Sequence, residues 1–324
     1  MMGSMRNNPL SLLNINSKVA ILSHVSPDGD SLGSLIALGL AIKKLCDEVC
    51  IFRNDIFPGK YKFLPEYQQV EEYKEDQPQI FDFCFILDCG DAKRLGYSEV
   101  ILNKSKKIIN IDHHVSNTEF GDINLLDTNA SSTCEMVYNL LKDFQLPLDK
   151  DIATCLYTGI ATDTGNFVYD NTTAYTHQVV ADLMGFHIDL HKISYHLYQN
   201  KPLSSVKLLA HVLNHMEICF DGKVAIITVE DELLKSFNIS SNDVDGVINY
   251  ARDIEGIEIA ILLKENTNKE VKVGFRAKKD VDVSLLAGKF GGGGHKKASG
   301  AAIEGTIEEV RKKLEEQITI DLGW

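Results

Sequence analysis

Short apolar runs alternate with amphipathic stretches along most of this chain, and the alternation predicts its elements. Residues 19–23 (VAILS) read as a short buried strand. The stretch DSLGSLIALGLAIKKL then sets Leu32, Leu35, Ile36, Leu40 and Ile42 at helical spacing, with Lys43 and Lys44 near its end. Residues 49–52 (VCIF) predict another strand. FDFCFILDCGD (81–91) predicts a strong strand that ends in acids, and KKIINIDHH (106–114) repeats the design. Helices are expected at about 131–144, 150–162 and 173–186. Strands alternating with helices imply an open, mostly parallel sheet covered on both faces. In such sheets ligands bind beyond the carboxyl ends of the strands. Three polar clusters fall there: HVSPDGD after VAILS, DCGD after CFIL and DHH after IINI.

Residues 187–216 read as helical, interrupted at Asn200-Lys201-Pro202. Proline suits a first helical turn and disfavours helix in the residue before it, so two helices joined there are expected to bridge two domains. Beyond them the pattern restarts with strand KVAIITV (223–229), a helix near 243–252 and strands IEIAILLKE and EVKVGFRAK. A helix near 283–289, a glycine-rich loop, a strand near 298–303 and a last helix to about 318 follow. The expected fold is α/β. A larger N-terminal domain (1–190) holds a mostly parallel sheet flanked by helices, a helical linker spans 191–216, and a smaller α/β C-terminal domain spans 217–324.

Composition narrows the class. The 324 residues suit about two domains, and 44% hydrophobic with 24% charged residues is ordinary for a globular chain with a real core. No apolar run approaches the roughly 20 residues of a membrane span, and MMGSMRNNPL lacks the apolar core of a signal peptide. A soluble, cytoplasmic protein is expected. The seven cysteines (46, 50, 84, 89, 134, 155 and 219) form no CxxC pair, so buried thiols in a reducing compartment are expected and a zinc knuckle is not. A formal charge of −13 argues against coating long nucleic acid. Between Glu270 and Gly300, however, seven Lys/Arg (272, 276, 278, 279, 289, 296, 297) face three acids (270, 280, 282). That local excess suits a small anion or a short polyanion held at one place, although a solvated surface run has the same composition.

The candidate chemistry sits in the polar clusters. His24, Asp28 and Asp30 lie on a turn that Gly29 lets fold tightly, so both carboxylates can point into one space; Asp30 could equally cap the following helix. Asp88 directly follows an apolar run, where an unpaired carboxylate is costly. Asp112-His113-His114 follows another buried strand, and Asp163 in GIATDTGNF ends a helix. Two divalent cations about 3.5–4 Å apart can stabilise both the attacking and the leaving oxygen of a phosphoryl displacement. A mixed oxygen and nitrogen ligand set suits Mn²⁺ better than Mg²⁺. A water bridging the two cations would lose a proton and become the nucleophile, so no Ser or Cys nucleophile is needed. In the second half, GGGGHKKASG (291–300) lacks the ending of a Walker loop. Successive glycines still let backbone N–H groups approach a phosphate, with His295 and Lys296 or Lys297 adding charge, and Arg276 can fork two donors onto phosphate oxygens.

In order along the chain, SHVSPDGDSLGS, FILDCGD, NIDHHVSN, GIATDTGNF and GGGGHKKASGA resemble the motifs of the DHH/DHHA1 phosphoesterase family, over about residues 17–305. The nearest branch hydrolyses short oligoribonucleotides and 3′-phosphoadenosine 5′-phosphate (pAp). The resemblance implies that His24, Asp28 and Asp88 hold one Mn²⁺ and that Asp30, Asp88, His113 and Asp163 hold the other, with Asp88 as the bridge. Mg²⁺ or Co²⁺ are possible substitutes. It places His114 beside the metals, to bond the scissile phosphate or protonate the leaving oxygen, with Asp112 orienting an imidazole. Ser131 or Ser132 could touch substrate, but helix capping explains them equally well. Arg276, Gly292, Gly293, Gly294, His295 and Lys296 would bind the 5′-terminal phosphate or a base. The implied reactions are hydrolysis of RNA dimers to roughly pentamers into mononucleotides and removal of the 3′-phosphate of pAp to give AMP. Partners are then short single-stranded RNA and pAp, with no membrane, no long duplex and a possible homodimer.

Rivals share the chemistry or drop it. Cleavage of the linear dinucleotides pApA or pGpG belongs to the same chemistry. A manganese inorganic pyrophosphatase resembles the first half but carries another second domain, without GGGGHKKASG. A single-strand DNA exonuclease of the superfamily would carry extra domains, and a membrane cyclic-dinucleotide phosphodiesterase would carry membrane and sensory segments. A non-catalytic nucleotide-binding module would have no need of His24, Asp28, Asp30, Asp88, His113 and Asp163 together.

Overall fold

Six parallel strands build the sheet of the N-terminal half. The computed structural model describes residues 8–55, 57–73, 79–239, 244, 246–266, 269–278 and 281–324. In it the chain divides into two compact units, Met1–Asn200 and Lys201–Trp324. The strands of the first are β1 (Lys18–Ser23), β2 (Glu48–Arg53), β3 (Glu71–Glu72), β4 (Phe83–Leu87), β5 (Ile108–Asp112) and β6 (Ile123–Leu126), in the spatial order 3-2-1-4-5-6. Every neighbouring pair is parallel. The short β3 and β6 have no counterpart in the hydrophobic pattern: β3 is Glu-Glu, and β6 is only partly buried.

The order reverses between β1 and β4. At such a point the loops leave the sheet in opposite directions and open a crevice beyond the strand ends. Strand side chains alternate between two cores, as a period of two requires. Val19, Ile21, Phe85 and Leu87 face one, and Ala20, Leu22, Cys84 and Ile86 face the other.

The helices of this unit are α1 (Gly29–Ile42), α2 (Glu99–Asn103), α3 (Thr133–Asp143), α4 (Lys150–Asp163), α5 (Ala174–Met184) and α6 (Leu190–Ser194). The first core packs against α1, α3 and α4 through Leu32, Leu35, Val137, Leu141, Ile152 and Leu156, among others. Helices α1 and α4 run antiparallel and touch through glycine. A Cβ on Gly33 would lie 2.5 Å from Cys155 O, and one on Gly159 would lie 2.9 Å from Asp30 Oδ1. This close approach sets the start of α1 beside the end of α4.

After α6 a π-turn (Tyr195–Gln199) ends the first unit, and α7 (Leu203–Asn214) begins beyond Pro202, which occupies its N-cap. The remaining elements are β7 (Glu217–Cys219), β8 (Val224–Val229), α8 (Asp231–Phe237), α9 (Val247–Arg252), β9 (Ile259–Asn266), β10 (Glu270–Ala277), α10 (Val283–Lys289), β11 (Gly293–His295), β12 (Ala298–Glu304) and α11 (Ile307–Leu322). They form a mixed sheet in the order 11-12-10-9-8-7, antiparallel except for the β8–β9 pair. Helices α10 and α11 cover one face, and α7, α8 and α9 the other. Lys279 and Asp280 of the basic stretch, and Asp243 and Asp245 of the helix expected near 243–252, lie outside the described residues. Among the described residues no helix is long and apolar enough to cross a membrane.

The glycine-rich segment differs from expectation. It is not a free loop: Gly293–His295 pairs with Ala298–Glu304 as a hairpin. Glycine is what permits it, since a Cβ on Gly292 would lie 2.1 Å from Gly300 O and Gly294 sits at φ +138°.

Candidate metal centre

Asp28 and Asp30 divide their work in the opposite sense to the capping alternative. Asp28 has extended backbone and caps α1: its Oδ1 accepts from Asp30 N at 3.1 Å and Ser31 N at 3.0 Å. Asp30 is not the cap. Buried in the first turn, it accepts from Thr133 N at 2.7 Å and Cys134 N at 2.8 Å. Those are unpaired amides at the start of α3, so the helix terminus holds the carboxylate from across the core. Ser132 caps α3 by accepting from Glu135 N at 3.1 Å, and Ser131 Oγ donates to Glu135 Oε2 at 2.6 Å. Both serines therefore have structural partners.

Asp88 leaves β4 at the reversal point with φ +56°, a left-handed conformation that a non-glycine residue adopts at a cost. Its carboxylate is buried among three imidazoles. Oδ2 lies 3.4 Å from His24 Nε2, while Oδ1 lies 3.7 Å from His113 Nε2 and 3.6 Å from His114 Nδ1. Thr133 Oγ1 donates to Oδ1 at 3.1 Å. Opposite, His113 Nε2 is 3.5 Å from Asp163 Oδ2 and 3.9 Å from Asp30 Oδ2. Donor atoms of His24, Asp28 and Asp88 lie within 4.8 Å of one another, and so do those of Asp30, His113 and Asp163.

These residues fit divalent cations. The spacings are wider than hydrogen bonds yet close enough for ligand atoms to converge on a common centre. The imidazoles are turned accordingly: His24 Nδ1 donates to Val25 O at 2.7 Å, and His113 Nδ1 donates to Ala130 O at 3.3 Å. Each Nε2 lone pair is thereby left toward the carboxylates, as in metal-ligating histidines. A carboxylate-rich set with a few imidazoles suits a divalent cation.

The ionisation equilibria record the same crowding. Burial, and then the charge of Asp88, pushes the Asp30 carboxyl up to about 7. Burial and the charges of Asp30, Asp28 and Asp88 carry Asp163 well above the ordinary range. Burial also works against the Asp88 anion, but the neighbouring His24 and the other two imidazoles hold it below the usual carboxylate range. Burial pulls His24, His113 and His114 down, and the carboxylates around them outweigh it, so all three are raised. Protons stand where cations would remove the repulsion.

Behind the cluster, Asp112 is fully buried and accepts from His114 Nδ1 at 2.6 Å and from Asn117 Nδ2 at 2.6 Å. Thr133 and Asn117 are missing from the sequence-based site. Nothing in a Ser-Ser-Thr run or in a lone Asn shows that a fold will bring it against Asp88 or Asp112.

In the second unit, cross-strand register aligns His295 with Ala298 and Ala298 with Arg276. Residues directly paired across a sheet share a face, so His295 and Arg276 flank the small Ala298 on one surface. Arg276 Nη1 donates to Phe275 O at 2.9 Å. Gly292, Gly293 and Gly294 shape the first arm of the hairpin, and the exposed Lys296 stands in its turn.

The model of the DHH family N-terminal domain matches residues 18–160, and that of the DHHA1 domain matches residues 221–319. The chain is 31% identical to the bifunctional oligoribonuclease and PAP phosphatase NrnA of Thermus thermophilus, over 94% of this chain and 91% of that one. It is 27% identical to the protein of the same name from Bacillus subtilis, over 92% and 93%. A solved exopolyphosphatase-related protein of Bacteroides fragilis superposes with a TM-score of 0.84 at 28% identity, covering 95% of this chain and 94% of that one. With the match running through both units, the chain belongs to the DHH family of phosphoesterases and carries a DHHA1 domain.

Proposed function

We propose that the chain is a Mn²⁺-dependent phosphoesterase that hydrolyses RNA dimers to roughly pentamers and removes the 3′-phosphate of pAp to give AMP. In this reading residues 1–190 form the catalytic domain, 191–216 the helical linker and 217–324 the substrate-binding domain. The observation that carries it is the pair of donor groups, His24, Asp28 and Asp88 beside Asp30, His113 and Asp163, at the reversal point of a parallel sheet. The relatives named for oligoribonucleotide and PAP hydrolysis support the substrate class.

Two bound cations would supply Lewis acidity to the phosphoryl group and a nucleophile at neutral pH. The chain's own residues do the rest. Asp88, whose Oδ2 faces His24 and whose Oδ1 faces His113, would serve both cations, and Thr133 Oγ1 donates to it. Asp112 holds His114 by Nδ1, so proton exchange with the leaving oxygen passes through Nε2. Arg276, His295 and Lys296, with Gly292, Gly293 and Gly294 beside them, would take a terminal phosphate or base.

The test is turnover of pAp, a 5′-labelled RNA dimer, a long RNA and pyrophosphate, with Mn²⁺ or chelator and with Asp88→Asn as control. Dimer and pAp turnover that needs metal and vanishes in the variant is expected. Pyrophosphate turnover alone, or full activity in chelator, would overturn the reading.

A further inference from the structure

Arg94 lies in the turn after β4 and serves neither donor group. Its backbone is fixed: Arg94 N donates to Asp91 O at 2.9 Å, and Arg94 O accepts from Val25 N at 2.8 Å. The turn is thus tied to the residue after His24. Its side chain is exposed, and one guanidinium nitrogen lies 3.2 Å from His24 Nδ1. That contact is no hydrogen bond if His24 ligates through Nε2. Nδ1 then carries the proton and donates it to Val25 O, so two donors face each other. Among the described residues Arg94 makes no ion pair, although Asp88 stands on the far side of the same imidazole, 3.4 Å from its Nε2.

A bare guanidinium beside a ligand of a divalent cation is electrostatically unfavourable for the cation. The unfavourable placement is relieved by an anion lying between guanidinium and cation. A phosphate oxygen is the anion that a rigidly based, unspent arginine fork suits best. We propose that Arg94 is a substrate-binding residue that grips the scissile phosphate on the His24 side of the centre. The inference rests on the phosphoesterase reading above.

The experiment compares wild type, Arg94→Ala and Arg94→Lys by calorimetry, first with Mn²⁺ alone and then with inorganic phosphate added to the Mn²⁺-loaded protein. Kinetics on pAp and an RNA dimer run alongside. Arg94→Ala should bind Mn²⁺ as well as wild type or tighter, while phosphate affinity and kcat/KM fall roughly 10- to 100-fold. Arg94→Lys should recover part of both. Weaker Mn²⁺ binding in Arg94→Ala would mean that the residue acts through His24 and would overturn the proposal. So would an unchanged phosphate affinity, or a loss confined to pAp. If wild type turns over neither substrate, the function above fails, and the phosphate titration still decides the role of Arg94.

Discussion

Asp112→Asn removes one charge and almost no volume, so its effect can be worked from the hydrogen bonds alone. Asp112 Oδ1 accepts from His114 Nδ1, and Oδ2 accepts from Asn117 Nδ2. The orientation of Asn117 is fixed from elsewhere: its Nδ2 also donates to Asn110 Oδ1 at 2.8 Å, and its Oδ1 accepts from Glu119 N at 2.7 Å. An asparagine at 112 offers one acceptor where two are needed. With its oxygen toward His114, its amide hydrogens meet those of Asn117. Flipped, they meet the His114 N–H. One buried donor faces another in either case.

A hydrogen bond to a charged group is worth about 1.5–3 kcal/mol, or roughly 10- to 150-fold at about 1.4 kcal/mol per decade. Loss of kcat on pAp and on the RNA dimer within that range is expected, with Mn²⁺ stoichiometry unchanged. The His114 pKa must also move down, because burial already depresses it and the Asp112 bond is first among the influences that lift it. Histidine NMR titration of the metal-free protein reads that shift. A variant with a wild-type His114 titration and wild-type kcat would refute the idea that Asp112 orients and charges this ring.

Two further outcomes follow from the same centre. Gly159→Ala puts a Cβ 2.2 Å from the buried Cys134 Sγ and 2.9 Å from Asp30 Oδ1. Overpacking of this kind costs about 1–3 kcal/mol, a melting shift of several degrees, and Cys134→Ala should recover part of it; equal melting temperatures for wild type and Gly159→Ala would contradict the contact. The Asp30 carboxyl, raised to about 7, keeps its proton at pH 6 in the metal-free protein and must lose it to coordinate. Mn²⁺ affinity should therefore rise between pH 6 and 8, with more protons released at the acid end; calorimetry in buffers of different ionisation enthalpy that finds neither effect would count against a metal role for Asp30.

Half of the six metal-capable residues are legible because they stand just after an apolar strand. A carboxylate or imidazole there is either wasted or used, and parallel strands carry all such ends to one edge. His24, Asp88 and His113 follow from that logic alone. Asp163 does not, because it ends a helix. Its place depends on α1 and α4 meeting through Gly33 and Gly159, and single glycines inside helical patterns do not announce which helix they will meet. The division of roles between Asp28 and Asp30 is hidden for a related reason. Either can cap a helix, and the choice is made by α3, whose first amides are more than a hundred residues away in sequence and need an acceptor. Thr133 and Arg94 follow the same rule. A hydroxyl in a capping run and an arginine in a polar turn acquire meaning only from the neighbour that the fold supplies. The hairpin of the second unit shows the converse limit: GGGG reads as freedom, yet Gly292 is needed because Gly300 O leaves no room for a side chain. Pattern therefore locates the residues whose burial must be compensated, and only packing tells which neighbour compensates them.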